Sequence, residues 1–228
     1  PPLACPEEVP RRLRVGYFSA DFHDHATMYL MARLFELHDR NAFIIHAYSY
    51  GVASNDSMRN RLIDSIDEFH EVSQLSDLEV ARLARSHDID IAVDLKGYTQ
   101  FSRLGIFAYR AAPVQISYLG YPGTTGSSFM DYIIADQVVI PDGQEVNYSE
   151  KIIYLPHSYQ VNDSSRAISD QTFSRSECGL PEKAFVFCCF NNNFKIGPRE
   201  FDIWMRLLQQ VQDSVLWLFG SGESAQEN

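Results

Sequence analysis

The chain has 228 residues, 45% of them hydrophobic and 21% charged, and a net charge of −11 at pH 7. That length suits one large domain or two small ones, the composition is that of an ordinary globular chain, and the acidic balance argues against sequence-independent binding to nucleic acid or anionic lipid. No apolar run reaches the roughly 20 residues of a membrane helix, and the amino terminus has no signal-peptide pattern. Cys5, Cys178, Cys188 and Cys189 have spacings that suit neither a zinc site nor a disulfide framework. The expectation is a cytoplasmic protein in a reducing compartment, without nucleic-acid or membrane partners.

After a Pro-rich leader (residues 1–12), residues 13–20 (LRVGYFSA) read as a buried strand. A polar segment follows, then a helix over 28–38 with Leu30, Leu34 and Leu37 at helical spacing. Thr27 is its expected N-cap. Residues 43–50 form a second strand, and 54–66 a helix with Met58, Leu62, Ile63 and Ile66 on one side. Residues 69–72 are short and strand-like. Ser76 and Glu79 make a capping-box pair before a helix carrying Val80, Leu83 and Ala84. Strands over 89–95 and 114–119 flank a helical stretch near 102–109, and strands at 132–135 and 151–155 complete the series.

Repeated strand–helix units predict a mostly parallel sheet covered on both faces, whose central strands lose apolar–polar alternation. Residues 157–182 open with a polar, Ser-rich run and read as a linker. Pattern resumes with a strand at 184–190, a helix at 198–211 with Pro at its start, and a strand at 214–219. The domain reading is therefore a complete α/β lobe over 13–156 and the opening of a second, incomplete one over 183–228. A chain cut there should leave an apolar face on the partial βαβ unit.

Ligands in open α/β sheets bind beyond the carboxyl ends of the strands. Four such loops carry unusual chemistry: Asp21-Phe22-His23-Asp24-His25-Ala26-Thr27, Lys96-Gly97-Tyr98-Thr99, the run from Gly120 to Gly126, and Asn191-Asn192-Asn193-Phe194-Lys195. The first leads into a helix whose amino terminus favours anions. The last pairs an amide cluster with a lysine, a combination suited to a diphosphate. Each loop also has a plain reading. His25 is then a solvent-facing loop histidine, Gly120–Gly126 a turn, and Lys195 a solvated lysine near a helix start. His23 and His25 with Asp21 and Asp24 lack the separated further ligands of most metal sites, so no metal is expected there. Four such loops at strand ends carry more weight than any one alone.

In these loops the sequence resembles the catalytic region of glycosyltransferase family 41, the nucleocytoplasmic protein O-GlcNAc transferases and the related SPINDLY proteins. The matching text runs in the family's order through RLRVGYFSADFHDHATMYL, DLKGYT, AAPVQISYLGYPGTTGSSFMDYIIAD, YSEKIIYLP and FCCFNNNFKIGPREFDIWMRLLQQVQDSVLWL. The resemblance implies a GT-B fold, here a complete Rossmann-like amino-terminal lobe plus the first βαβ unit of the carboxyl-terminal one. It implies an inverting, metal-independent transferase that uses no cofactor and moves GlcNAc from UDP-GlcNAc to Ser or Thr of a protein acceptor. Tetratricopeptide repeats are expected upstream in the full-length protein. Asp21, His25 and Lys195 match the family's catalytic positions. His25 matches a residue proposed as base or as donor contact, and Lys195 the lysine that binds the diphosphate. Thr27, Tyr98, Leu119, Gly120, Pro122 and Asn192 match positions around the donor sugar and nucleotide.

The chain also departs from the family's pattern. Ala26 stands where the animal enzymes have Pro, and Asn192 and Phe194 replace a Gln and a Tyr beside the lysine. The Pro-Gly-Thr-Thr-Gly loop leans towards SPINDLY proteins, whose plant member uses GDP-fucose, whereas Lys96-Gly97-Tyr98-Thr99 leans towards the GlcNAc branch. Two alternatives therefore stand beside the first reading: an O-fucosyltransferase, and a binding fragment that is inactive without the rest of the nucleotide lobe.

Overall fold

A computed structural model of the protein describes residues 12–220; nearly all of the leader, Cys5 and the tail from residue 221 lie outside the described residues. The chain divides into two units after Arg166. In the first, seven strands form one all-parallel sheet. They are β1 (Leu13–Ser19), β2 (Phe43–Ser49), β3 (Glu68–Glu71), β4 (Ile91–Asp94), β5 (Val114–Ser117), β6 (Tyr132–Ala135) and β7 (Lys151–Tyr154). Their order is β3-β2-β1-β4-β5-β6-β7. The chain winds outward from β1 through β2 and β3, then returns to place β4 on the other side of β1. That reversal makes the β1/β4 gap the topological switch point, where open α/β sheets bind ligands.

The sheet is covered on both faces because alternate strand residues point to opposite sides. Val15 and Tyr17 of β1 join Ile45, Ala47 and Val93 beneath α1 (Ala26–Leu37) and α2 (Ser57–Ser65). Phe18, Tyr48 and Ala92 face the other way, beneath α3 (Asp77–Ser86) and α4 (Gly105–Ala108). Phe18 and Tyr48 stack there with ring centroids 4.4 Å apart. Truncating a fully buried ring such as Phe18 or Phe35 typically costs about 3–5 kcal/mol, so both faces hold the sheet in register.

Local chemistry explains where the helices begin. The Ser76–Glu79 capping box forms as the sequence predicts, and Asp56 caps α2 by accepting from the Arg59 amide. Two expectations for α1 are corrected. Its N-cap is His25, not Thr27: His25 has extended backbone, and its Nδ1 accepts from the Thr27 amide. Thr27 therefore lies inside the first turn. The buried stripe of α1 is Met28, Met31, Ala32 and Phe35, with Leu37 exposed. Met and Phe bury as favourably as Leu, so composition alone left the phase of the stripe open.

Residues 159–163, within the segment expected as linker, are fastened to the first unit. The Tyr159 amide donates to Asp136 (2.7 Å), Tyr118 donates to the Tyr159 carbonyl (2.8 Å), and Asp163 accepts from Arg61 (2.6 Å). The second unit holds a parallel strand pair, β8 (Phe185–Cys189) and β9 (Ser214–Leu218), joined by α5 (Pro198–Gln210). Pro198 occupies the first turn of α5, where its missing N–H costs nothing. None of the α5 residues is buried, and Phe185, Phe201, Ile203 and Trp217 are exposed. A single βαβ unit has too little surface to enclose them.

Candidate functional site

A buried polar cluster of the first unit sits at the switch point. Asp21, just past β1, and Lys96, just past β4, are both buried, with side chains 7% and 5% exposed, and Lys96 Nζ donates to Asp21 Oδ2 at 2.6 Å. Burying either charge alone would be costly, and the pair is tolerated because each neutralises the other. Asp21 Oδ2 also accepts from Thr27 Oγ1 at 3.4 Å and lies 3.5 Å from His25 Nδ1. The backbone thus brings Asp21, His25 and Thr27 together and adds Lys96.

Beneath this pair, Asp94 accepts from the amides of Lys96 (3.0 Å) and Gly97 (2.9 Å). Burial raises its carboxyl to about 6, against the opposing pull of those two hydrogen bonds and of the Lys96 charge. Gly97 has φ +52°, and a side chain there would meet Tyr121 Cβ at 2.4 Å. Both the turn and the close approach require glycine.

His25 is partly exposed at the entrance to α1. Its imidazole is held below the ordinary value by desolvation, with Asp21 pulling the other way and Lys96 and His23 adding to the depression. Because Nδ1 accepts the Thr27 amide, the proton of the neutral ring belongs on Nε2, a donor. The first turn of α1 carries no acidic side chain, so its free amides and dipole present positive potential. Asp24 is drawn away from the histidines, accepting from the Met58 amide (3.3 Å), so the four loop residues do not converge on one point.

The loop after β5 closes the site. Leu119 is left-handed (φ +65°), a conformation that costs a non-glycine residue about 1–2 kcal/mol. Gly120 then passes so close to β4 that a Cβ would lie 2.0 Å from the Leu95 carbonyl oxygen. Pro122 is exposed and its carbonyl accepts from Tyr148 (3.2 Å). The buried Glu150 pins the far end, accepting from Thr124 Oγ1 and the Thr125 amide, each at 2.7 Å, and also from Thr125 Oγ1. Burial pushes the Glu150 carboxyl up, but these bonds outweigh it and hold it below the ordinary range. Tyr98 reaches the same loop, its hydroxyl donating to the Thr125 carbonyl at 2.6 Å and its ring meeting Tyr121 edge-on.

Asn192 and Lys195 belong to the second unit. They lie exposed on the turn between β8 and α5, where Asn193–Lys195 form one turn of 3₁₀-helix. That too is the carboxyl end of a strand, immediately before a helix. Sequence reasoning passed over Lys96 as a site residue, although it stood in a quoted loop, and overlooked Asp94 and Glu150. A lysine directly after a buried strand was the available signal for Lys96. Nothing local pointed to Glu150, which acts 25 positions away.

A doubly wound parallel sheet with its polar cluster at the switch point, followed by the opening βαβ unit of a second lobe, defines the class: an α/β chain with the GT-B fold. The family model of glycosyl transferase family 41 matches residues 2–173 and 169–227, and the chain belongs to that family. It is 37% identical over 96% of its length to the probable UDP-N-acetylglucosamine–peptide N-acetylglucosaminyltransferase SEC of Arabidopsis thaliana. It is 36% identical over 91% of its length to the UDP-N-acetylglucosamine–peptide N-acetylglucosaminyltransferase of Caenorhabditis elegans. These matches span 24% and 28% of the two relatives, so the chain corresponds to about a quarter of each. A solved structure of a mutant O-GlcNAc transferase of Thermobaculum terrenum superposes with a TM-score of 0.80 at 33% identity, covering 91% of this chain and 38% of that one. Among the described residues, no helix is long and apolar enough to cross a membrane.

Proposed function

We propose that the protein transfers a sugar from a nucleoside diphosphate to Ser or Thr hydroxyls of proteins, with UDP-GlcNAc as donor. The observation that carries this reading is the buried Asp21–Lys96 pair with His25 and Thr27 at the switch point of a family 41 chain. The activities named for the Arabidopsis and nematode relatives support the same donor and a peptide acceptor.

In the proposed reaction the acceptor oxygen attacks the anomeric carbon from the face opposite the diphosphate. The C1–O bond to phosphate breaks with its electron pair leaving on the diphosphate, the hydroxyl proton passes to a phosphate oxygen of that departing group, and the configuration inverts. Negative charge grows on the leaving group, so a fixed cation favours the transition state over the ground state. Lys195, on the second unit's turn before α5, supplies that cation in this reading. Neutral His25 donates Nε2–H to a donor oxygen while Nδ1 stays on the Thr27 amide. Action as a base would require the other tautomer, with Nδ1–H turned to Asp21 Oδ2, and the 3.5 Å separation makes that the second choice. Asp21 holds Lys96 and Thr27 in place, and Tyr98, Leu119, Gly120 and Pro122 form the first unit's donor surroundings; Asn192 is proposed as a donor contact on the second unit's own turn.

Incubation with UDP-GlcNAc and GDP-fucose separately, with a protein acceptor and a Lys195→Ala control, tests the reading by intact-mass spectrometry. Transfer of GlcNAc, lost in the variant, is the expected result. Transfer of fucose alone would move the chain to the fucosyl branch suggested by the Pro-Gly-Thr-Thr-Gly loop. Donor binding without transfer would make it a binding fragment, and absence of both would overturn the proposal.

A further inference from the structure

At the opposite edge of the first sheet, where the strands begin, three histidines meet. His46 lies on β2, His70 on β3, and His87 follows the last residue of α3. His70 is in register with Tyr48, two residues along from His46, so the two side chains share a face. The C-terminal end of α3 delivers His87 to that face. Ring centroids are 4.4 Å apart for His70–His87, 5.4 Å for His46–His70 and 5.7 Å for His46–His87. One ring nitrogen of each lies within 4.8 Å of those of the other two. His46 is 5% exposed, yet its Nε2 has no hydrogen-bond partner among the described residues. The cluster lines a cavity of about 570 Å³ together with Arg14, Asp67 and Glu68.

Two ligand classes compete for such a pocket. An anion would need charged imidazoles, yet the three rings are packed one on another, where like charges would repel. Two arginines line the cavity, but Arg14 donates to the His87 carbonyl (2.7 Å) and Arg12 to the Arg40 carbonyl (3.0 Å), and the carboxylates of Asp67 and Glu68 share the rim. Neutral imidazoles instead offer lone pairs, the form that binds borderline metals. His46 Nδ1 and His70 Nε2 share a hydrogen bond at 3.1 Å, a separation close to the roughly 3.3 Å between two nitrogens on a tetrahedral zinc ion at about 2.0–2.1 Å, so an ion would take the place of the shared proton. His87 Nδ1 is 2.9 Å from the Tyr48 hydroxyl, the kind of outer bond that orients a ligand imidazole and leaves Nε2 for the ion. Closing the widest nitrogen pair needs a movement of roughly 1.5 Å, a side-chain adjustment at the half-open rim.

We infer that His46, His70 and His87 form a binding site for one zinc-class divalent ion at the amino-terminal edge of the sheet. A water would complete four-coordination, because Asp67 Oδ2 is taken by Arg40 (2.9 Å) and the Ile45 amide (2.8 Å). The site ties β2, β3 and the end of α3 together and stands apart from the loops proposed to hold the donor, so its failure and the failure of that proposal are separable.

The chelator-treated full chain, titrated with Zn²⁺ by calorimetry and with Co²⁺ by visible absorption, tests the site. One equivalent should bind, raise Tm, and give a tetrahedral Co²⁺ spectrum without a thiolate charge-transfer band. His70→Gln and His87→Gln should each weaken binding at least tenfold, and Tyr48→Phe by roughly 10–100-fold. Long-range ¹H–¹⁵N spectra of the histidine-labelled wild-type chain identify the ligands without any substitution, so a misfolding variant does not leave the question open. Zinc-dependent shifts confined to the His46, His70 and His87 rings support the site. No stoichiometric binding, a thiolate band with affinity unchanged in the histidine variants, or shifts only of His23 and His25 would overturn it.

Discussion

The Asp21–Lys96 pair gives the sharpest stability test. At 2.6 Å the attraction between unit charges is about 6 kcal/mol for an effective dielectric constant near 20, and desolvation of both groups offsets much of it. Removing one partner leaves the other buried without its counter-charge, which typically costs about 3–5 kcal/mol. Asp21→Asn and Lys96→Met should each lose that much in urea denaturation at pH 7. Lowering of Tm should be roughly 6–20 °C for a chain of this size. The double variant should be less destabilised than the sum of the singles by about 2 kcal/mol or more, because the second change removes the stranded charge. Losses below about 1 kcal/mol for both singles, as for a solvent-screened surface pair, or strict additivity, would refute the argument that this pair is buried and coupled.

Other predictions concern the loops and pH. Gly120→Ala should destabilise by more than about 2 kcal/mol, since its Cβ would strike the Leu95 carbonyl, whereas Gly126→Ala, open in space but at φ +64°, should cost about 1 kcal/mol; thermal melts of the two compare steric and torsional strain. Glu150→Ala strips the Thr124–Thr125 turn of its acceptor and should cost about 1–3 kcal/mol, with faster amide exchange at Thr125 as the local readout. His25→Asn should keep the α1 cap while His25→Ala loses about 1 kcal/mol; if His25 were the base, both would lower kcat by roughly 10²-fold or more. His46 and His70 titrate near 4 in the fold against 6.5 ordinarily, so the unfolded chain binds more protons between those values and stability falls as pH drops from about 6.5 towards 4. Asp94, raised to about 6, opposes this because its contribution is lost as pH rises through 6. His25 and His38 are also held below the ordinary value, by desolvation first, so with one carboxyl opposing, the urea midpoint in the presence of chelator should decrease from pH 7 to pH 5, and His46→Gln should flatten that slope. A midpoint that rises on acidification would contradict the assignment.

Strand and helix order was legible in the sequence because both depend on near-neighbour chemistry: runs such as LRVGYFS and YIIA, the Ser76–Glu79 box, and Pro198 at a helix start. The family motifs sit in loops at strand ends for the same reason, since a strand that must be buried dictates where its polar continuation emerges. The phase of α1 was not legible, because Leu, Met and Phe are nearly equivalent as core residues until a specific sheet face selects among them. His25 as cap was also hidden, since its ring replaces the hydroxyl or carboxylate that a cap normally offers. The contacts that only the fold could decide join residues far apart in the chain: Asp21 with Lys96, Thr125 with Glu150, and His46 with His70 and His87. Each depends on strand order and register, which local composition does not encode, and each places charged or titratable groups where burial sets their chemistry.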